Sequence, residues 1–217
     1  MTGVRRQVEL LEKNKPRQER AKRTYESILV AAAELLIEVG IERISTNIMA
    51  ERAGITVPAL YRYFPNKYSV LHALGANMMD KQNEVCVEWL EQCFELKDPK
   101  DILGRVGILL RMTYDVTREQ LAGLEIIQSL RAVGPLQELR LTSNRLVAQQ
   151  IAEITADVFS WQLDEELKIQ SRLGVEVAYG VVELALEEES LSAEDVLQQG
   201  ANMIELYWLN TIKQRSA

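Results

Sequence analysis

The sequence predicts an all-α protein of about nine helices, with a small three-helix head at the N-terminus and a larger helical body after it. Apolar residues recur at helical spacing over long stretches, whereas the alternation typical of a half-buried strand is almost absent. Short segments that contain Gly, Pro, Asp or Ser separate these stretches. At 217 residues, 47% of them hydrophobic, the chain is long enough for a small domain joined to a larger one.

The first helix is predicted to follow a flexible basic arm, residues 1–16, that ends at Pro16. From residue 17 to residue 39 apolar side chains recur at helical spacing, and Gly40 supplies a natural stop. We assign residues 17–66 to the head domain and residues 67–217 to the body.

Two short helices joined by a tight turn are predicted between residues 45 and 66. Thr46 or Ser45 can cap a helix that runs through Ala53, and Gly54 can adopt the positive φ that a tight turn needs. Thr56 then caps a second helix, whose first turn contains a proline. This arrangement is a helix-turn-helix.

The body is predicted to consist of long helices. The first runs from Lys67 to about Leu96 and is broken by Asp98-Pro99. The further predicted helices lie near 100–118, 121–133, 136–160, 164–188 and 192–214.

Charge is distributed unevenly along the chain. Residues 1–67 hold twelve Lys/Arg against eight Asp/Glu (+4), and the remainder holds thirteen against 24 (−11), which together give the net charge of −7. A basic head on an acidic body suits a protein that approaches a polyanion end-on, although charge runs are more often solvated faces.

Several function classes are disfavoured. No stretch of about twenty apolar residues is present, and the start lacks the pattern of a secretory signal, so we expect a cytoplasmic protein. With His72 as the single histidine, and no G-x-G-x-x-G, P-loop, C-x-x-C or H-E-x-x-H motif, we expect no enzyme, catalytic residue, metal site or cofactor. Cys86 and Cys93 lie about two helical turns apart, too far to bridge, and are interpreted as buried side chains or, alternatively, as a thiol sensor.

The helix-turn-helix segment resembles the DNA-binding domain of the TetR (tetracycline repressor) family. The resemblance rests on the order and spacing of Thr46, Met49-Ala50, Ala53-Gly54-Ile55, Pro58, Leu60-Tyr61, Tyr63-Phe64 and Asn66-Lys67. It covers about residues 17–75. Met49 stands where the family often has Ile or Leu, which is a volume-conserving change.

The resemblance implies that the second short helix, about residues 57–63, enters the major groove of DNA. The residues expected near base edges are Thr56, Val57, Pro58 and Ala59, with Arg62 if it turns inward to guanine. The residues expected near phosphates are Thr46, Asn47, Tyr61 and Lys67. Tyr63 is assigned to DNA or, equally well, to the core of the head, where we also expect Leu60 and Phe64. The basic arm is expected either to reach the minor groove or to be a solvated tail.

The resemblance also implies a homodimer that binds a palindromic operator, with the last two helices as its interface. The residues expected there form a small-residue stripe, which also includes Ser171, and a matching apolar stripe: Gly174, Ala178, Val181, Ala185, Leu197, Ala201, Ile204 and Trp208. The alternative is that these stripes belong to the core of a single chain.

A pocket among the middle helices is the last implication, and it would take a small hydrophobic or amphipathic effector. The candidate lining residues are Trp89, Phe94, Met112, Tyr114, Gln128 and Arg131. The sequence therefore predicts a DNA-binding transcriptional regulator, a repressor released from double-stranded DNA by its effector. The alternative is a DNA-binding regulator or nucleoid-associated factor that has no effector.

Overall fold

The computed structural model describes residues 18–93, 96 and 98–215, which form ten helices. Their bounds are α1 Glu19–Arg43, α2 Thr46–Arg52, α3 Val57–Tyr61, α4 Lys67–Cys93, α5 Pro99–Leu103, α6 Val106–Glu119, α7 Gly123–Ala132, α8 Gly134–Phe159, α9 Glu165–Glu187 and α10 Ala193–Arg215. The predicted all-α class is confirmed, and no described residue lies in a strand. The predictions made for the arm and for Phe94 lie outside the described residues.

Two helix boundaries differ from the prediction. The stretch 100–118 is two helices, because α5 ends at Leu103 and α6 begins at Val106. Gly104 is the C-cap of α5, and its N–H donates to the carbonyl oxygen of Lys100 at 2.9 Å. The predicted stop at Gly40 is a kink instead. Gly40 adopts φ 71° and ψ 170°, and one further turn of helix carries α1 on to Arg43.

The described residues pack into two units. The first unit contains the residues up to Met79 together with Gln120–Arg140, and the second contains Asp80–Glu119 and the residues from Leu141 onward. Helices α4 and α8 each contribute residues to both units. The domain boundaries expected from the sequence, at residues 16 and 66, stay a prediction.

The core of the first unit is built around the short helices. Met49 of α2, Leu60 of α3 and Phe64 are fully buried, and they pack with Ile28 of α1 and Leu130 of α7. Burying a large apolar side chain contributes about 1.5–3 kcal/mol. These residues therefore fix the positions of α2 and α3 against α1.

The core of the second unit lies among α6, α9 and α10. Leu110, Leu167, Val182 and Leu197 are almost fully buried in it. Asp164 caps α9, since its Oδ1 accepts a hydrogen bond from the backbone N–H of Leu167 at 2.8 Å. None of the described helices is long and apolar enough to cross a membrane, and no described group of His, Cys, Asp or Glu is arranged to hold a metal ion.

Candidate functional site

The helix-turn-helix is held by local caps that the sequence largely predicts. Ser45, rather than Thr46, caps α2, and its Oγ accepts a hydrogen bond from the N–H of Ile48 at 3.5 Å. The turn contains Gly54 at φ 67°, a conformation that disfavours any side chain with a Cβ. Thr56 caps α3, and its Oγ1 accepts from the N–H of Ala59 at 3.4 Å.

The two faces of α3 differ sharply in exposure. Leu60 and Phe64 are 0% exposed, as expected for core residues. The residues predicted to meet DNA lie on the outer side: Asn47, Thr56, Pro58, Tyr61 and Arg62 are exposed, and Thr46, Val57, Ala59, Tyr63 and Lys67 are half-buried. The predicted residues therefore lie at or near the surface of the first unit, whereas Leu60 closes the inner side of α3.

The aromatic rings of Tyr25, Tyr63 and Phe64 pack against each other, whereas the hydroxyl of Tyr61 lies on the outer side of α3. The ring of Tyr25 stacks on Phe64 at 5.1 Å and meets the ring of Tyr63 edge-on at 6.3 Å, so Tyr63 packs partly into the core. Tyr61 is 41% exposed, and its hydroxyl lies 3.1 Å from the hydroxyl of Thr46. Two hydroxyls expected near phosphate thus lie side by side on α2 and α3.

Lys67 makes contacts that the sequence did not predict. Its Nζ donates to the carbonyl oxygens of Ile41 and Ile44, at 3.3 and 3.2 Å, at the end of α1. The kink at Gly40 turns these carbonyls toward α4, which is a consequence of tertiary packing. The ammonium of Lys67 therefore has a structural role.

Three charged side chains join α2 to α1. The guanidinium of Arg52 donates to Glu38 at 2.8 and 2.5 Å and to Glu34 at 3.2 Å. The hydrogen bond from Arg52 holds the pKa of the Glu38 carboxyl below its ordinary value. Arg52 lies in the helix-turn-helix, but its charge is engaged inside the first unit.

The second unit contains a partly open cavity of about 160 Å³. Side chains from α4, α5, α6, α8, α9 and α10 line it, and most of them are aliphatic or aromatic. The polar groups among them include Gln82, Thr113, Thr155, Ser171 and Tyr179. No Asp, Glu, Lys, Arg or His of the described chain lines the cavity. A mostly apolar cavity with a few polar groups is typical of a small-molecule site.

The residues predicted for a pocket coincide with this cavity at one position. Trp89 lines it, and its indole N–H donates to the carbonyl oxygen of Arg105 at 2.9 Å. Met112 and Tyr114 on α6 do not line it. Gln128 and Arg131 are exposed on α7, in the first unit. Periodicity located most of the helices but could not show which side chains point inward together.

Sequence reasoning missed Gln82 and Ser171 as cavity residues. Both are buried, at 1% and 0% exposure. A signal for Gln82 exists in the sequence, because it interrupts the apolar stripe of α4 between Met78 and Cys86. A polar residue on an otherwise buried stripe requires either a partner or a function.

Most of the residues predicted for a dimer interface pack within the single chain, as in the alternative that the sequence left open. Ala185, Leu197, Ala201, Ile204 and Trp208 are buried in the core of the second unit. Gly174, Ala178, Ile204 and Trp208 line the cavity. Val181 packs so closely on Gly200 that a Cβ there would overlap it. The physical reason is that α6, α9 and α10 cover each other's apolar stripes within one chain.

The opposite faces of α9 and α10 carry apolar side chains that no described part of the chain covers. Between 39% and 67% of each of these side chains is exposed: Ile169, Leu173, Val177, Leu184, Met203, Leu206 and Tyr207. Positions 169, 173, 177 and 184 recur at helical spacing, so they share one side of α9. Monomeric proteins rarely expose contiguous apolar patches, which usually mark an interface.

The class of protein follows from these observations: a helix-turn-helix protein whose second unit, helical in its described residues, contains a cavity. Residues 28–74 match the family of bacterial regulatory proteins described as the tetR family. The helix-turn-helix segment of the chain is therefore similar to that of the tetR family.

Two known proteins illustrate the sequence similarity. It is 44% identical over 54 residues to the class C tetracycline repressor protein from Escherichia coli, an alignment that spans 25% of each chain. It is 30% identical over 99 residues to a nucleoid occlusion factor from Mannheimia succiniciproducens, covering 45% of this chain and 43% of that one. The chain thus spans about a quarter of the first relative and less than half of the second.

The fold extends further than the sequence similarity. A TetR-family regulator structure from Syntrophomonas wolfei covers 85% of this chain and 94% of its own, with a TM-score of 0.67 at 14% identity. At that identity the likeness concerns the fold alone.

Proposed function

We propose that the protein is a DNA-binding transcriptional regulator of the cytoplasm whose first unit reads an operator through α3. The observation that carries this is the outer surface of the helix-turn-helix, where the exposed ends of α2 and α3 lie together over a closed core. The segment matched by the family model, residues 28–74, contains this whole surface.

Sequence is read by the first turn of α3. Thr56 and Pro58 are exposed, and Val57 and Ala59 are half-buried beside them. None of these side chains can make a bidentate hydrogen bond to a base, so they contact thymine methyl groups and exclude mismatched edges. Arg62, exposed just after α3, supplies the hydrogen-bonding side chain for guanine.

Phosphates are bound by the hydroxyl pair and by the start of α2. Tyr61 and Thr46, 3.1 Å apart, present two hydroxyls from neighbouring helices, with Asn47 exposed beside them. Such contacts set position and affinity without reading sequence. Lys67 adds positive charge close by while its Nζ also binds the end of α1.

The test begins with selection of bound fragments from the source genome at physiological salt, where non-specific contacts are weak. One or a few palindromic sites are the expected result, and recovery of random DNA would contradict a specific regulator. On the selected site, Tyr61→Phe should weaken binding by roughly three- to tenfold, and by the same factor on altered sites. Arg62→Ala should instead change the preference among sites by about 1–3 kcal/mol.

A control for Tyr61→Phe is Tyr114→Phe. Tyr114 is on α6 in the second unit, does not line the cavity and lies outside the exposed faces of α9 and α10. Tyr114→Phe should leave the affinity for DNA unchanged. A change of sequence preference in Tyr61→Phe, with its overall affinity intact, would overturn the role given to this hydroxyl.

The dimer is proposed to form through the exposed apolar faces of α9 and α10, which differ from the stripes first expected. Two copies would cover Leu173, Val177, Leu184 and Met203 against each other, and a palindromic operator requires such two-fold symmetry. Val177→Glu should give a monomer by light scattering and abolish operator binding. Leu146→Glu, at an equally apolar position of α8 that is 60% exposed, should stay a dimer.

The cavity is proposed to bind the effector, whose arrival releases the protein from DNA and so relieves repression. The mostly apolar lining of the cavity in the second unit supports this. The similarity to a nucleoid occlusion factor supports the alternative, a DNA-binding protein that has no effector. A screen of small apolar molecules separates the two, because a ligand that binds the folded state raises the melting temperature and should also lower affinity for the operator.

A further inference from the structure

The amide of Gln82 is the most constrained polar group of the cavity. Gln82 is 1% exposed on α4 and lines the cavity. Its Nε2 donates to the hydroxyl of Thr117 at 2.7 Å. Its Oε1 is buried and accepts no hydrogen bond from any described residue. An unmet buried acceptor is unfavourable, so its presence calls for an explanation.

The orientation of this amide is fixed by its neighbour. The Thr117 hydroxyl donates its one hydrogen to the carbonyl oxygen of Thr113 at 2.7 Å. It can therefore only accept from Gln82, and only the NH₂ group of the amide can donate. A flipped amide would place two acceptors against each other. The Gln82 oxygen is thus held as a fixed acceptor on a residue of the cavity wall.

A second unpartnered group lies on α9. Ser171 is 0% exposed, lines the cavity, and has an Oγ for which no described residue is a partner. The two unmet groups come from different helices, so neither helix alone accounts for them. A hydroxyl can accept as well as donate, and it complements a fixed acceptor.

The rest of the lining is electrically neutral. No Asp, Glu, Lys, Arg or His of the described residues lines the cavity, and burial raises the pKa of the Cys86 thiol to about 11 and the pKa of Tyr179 above its ordinary value. A charged ligand would lose its hydration here without gaining a counter-charge, which is strongly unfavourable.

We propose that the effector is a neutral, ring-sized apolar molecule with one hydroxyl or N–H group that donates a hydrogen bond to Gln82 Oε1. This deepens the effector binding proposed above and rests on it. The volume of about 160 Å³ is close to the roughly 150 Å³ of a cavity that holds benzene, which sets the size. Carboxylates and ammonium ions are excluded by the neutral lining.

The test compares three probes built on one ring: 4-ethylphenol, 4-ethylanisole and 4-ethylbenzoate. Titration calorimetry with the full chain should give binding of the phenol that is roughly five- to tenfold tighter than binding of the anisole, which has no donor. The benzoate anion should not bind. Gln82→Met removes the acceptor at similar volume, and it should bind the phenol and the anisole equally.

Two further variants guard the interpretation. Gln92→Met, an exposed position on the same helix, should keep the full preference for the phenol. Thr117→Val removes the acceptor that holds the amide, so the amide can turn and offer its NH₂ to the anisole oxygen. The preference should then shrink or reverse. Far-UV circular dichroism checks that each variant folds. If Gln82→Met does not fold, Thr117→Val still tests the role of the Gln82 amide.

The outcomes distinguish this inference from the proposed function. Equal binding of phenol and anisole to the unaltered protein overturns the donor requirement but leaves the effector site intact. Tight binding of the benzoate overturns the neutral class. Failure of all three probes to bind a protein that still binds its operator overturns this inference, whereas the separate screen of small apolar molecules decides whether the cavity is an effector site.

Discussion

The two units place their polar groups in opposite ways. In the first unit two charged side chains at or near the surface are held by α1: exposed Arg52 binds Glu34 and Glu38, and half-buried Lys67 binds carbonyl oxygens at the end of α1. In the second unit buried oxygens of Gln82, Asn144, Gln170 and Ser171 have none among the described residues. A unit with a closed interior and polar groups outside is suited to binding a large partner on its surface. A unit with unmet groups inside is suited to enclosing a small molecule.

The largest expected effect concerns the closed interior of the first unit. Phe64 is fully buried and stacks on Tyr25 at 5.1 Å. Phe64→Ala should lower the free energy of unfolding by about 3–5 kcal/mol, measured by urea denaturation, and abolish binding to every DNA sequence. Tyr61→Ala, at an exposed position one turn away, should change stability little. A loss below about 1 kcal/mol in Phe64→Ala would show that this interior is not tightly packed.

A smaller effect tests how closely α9 and α10 pack in the second unit. A Cβ at Gly200 would lie 2.6 Å from Cγ2 of Val181, whose branched side chain cannot move aside easily. Gly200→Ala should therefore destabilise by about 1–3 kcal/mol. At Gly107 an added Cβ would meet Ala201 at an ordinary 3.5 Å, so Gly107→Ala should be neutral or stabilise by up to about 1 kcal/mol. Equal effects in both variants would contradict this packing.

The smallest effect is the acid sensitivity of the second unit. Two hydrogen bonds from Arg215, at 2.9 and 3.0 Å, and one from the N–H of Leu167 hold the pKa of Asp164 at about 2, below its ordinary 3.8. Because the folded value is the lower one, the stabilisation is present at neutral pH and lost as pH falls from about 4 toward 2. Asp164→Asn should flatten this part of the stability–pH curve, as followed by thermal melts.

The control for this pH effect is Asp157→Asn, at an exposed position of α8. Its curve should follow that of the unaltered protein. An unaltered slope in Asp164→Asn would mean that the Asp164–Arg215 pair does not link the start of α9 to the end of α10 in solution.

Most of the first unit could be predicted from the sequence, because its signals act over a few residues. The Gly54 turn, the Thr56 cap and the burial of Leu60 and Phe64 all agree with the prediction. The cap at Ser45 was one of two alternatives. What local signals could not give is the contact of Lys67 with the end of α1, since those residues lie 23 and 26 positions apart in the chain.

In the second unit the sequence determined the helices and their apolar stripes, and the tertiary structure decided what covers each stripe. Helical periodicity reports that a face is buried but carries no information about its partner. The stripe with Leu197 and Trp208 could equally have met a second chain, yet α6 and α9 cover it here. The cavity likewise exists only once six helices have packed, because a void is a property of their arrangement and of no single segment.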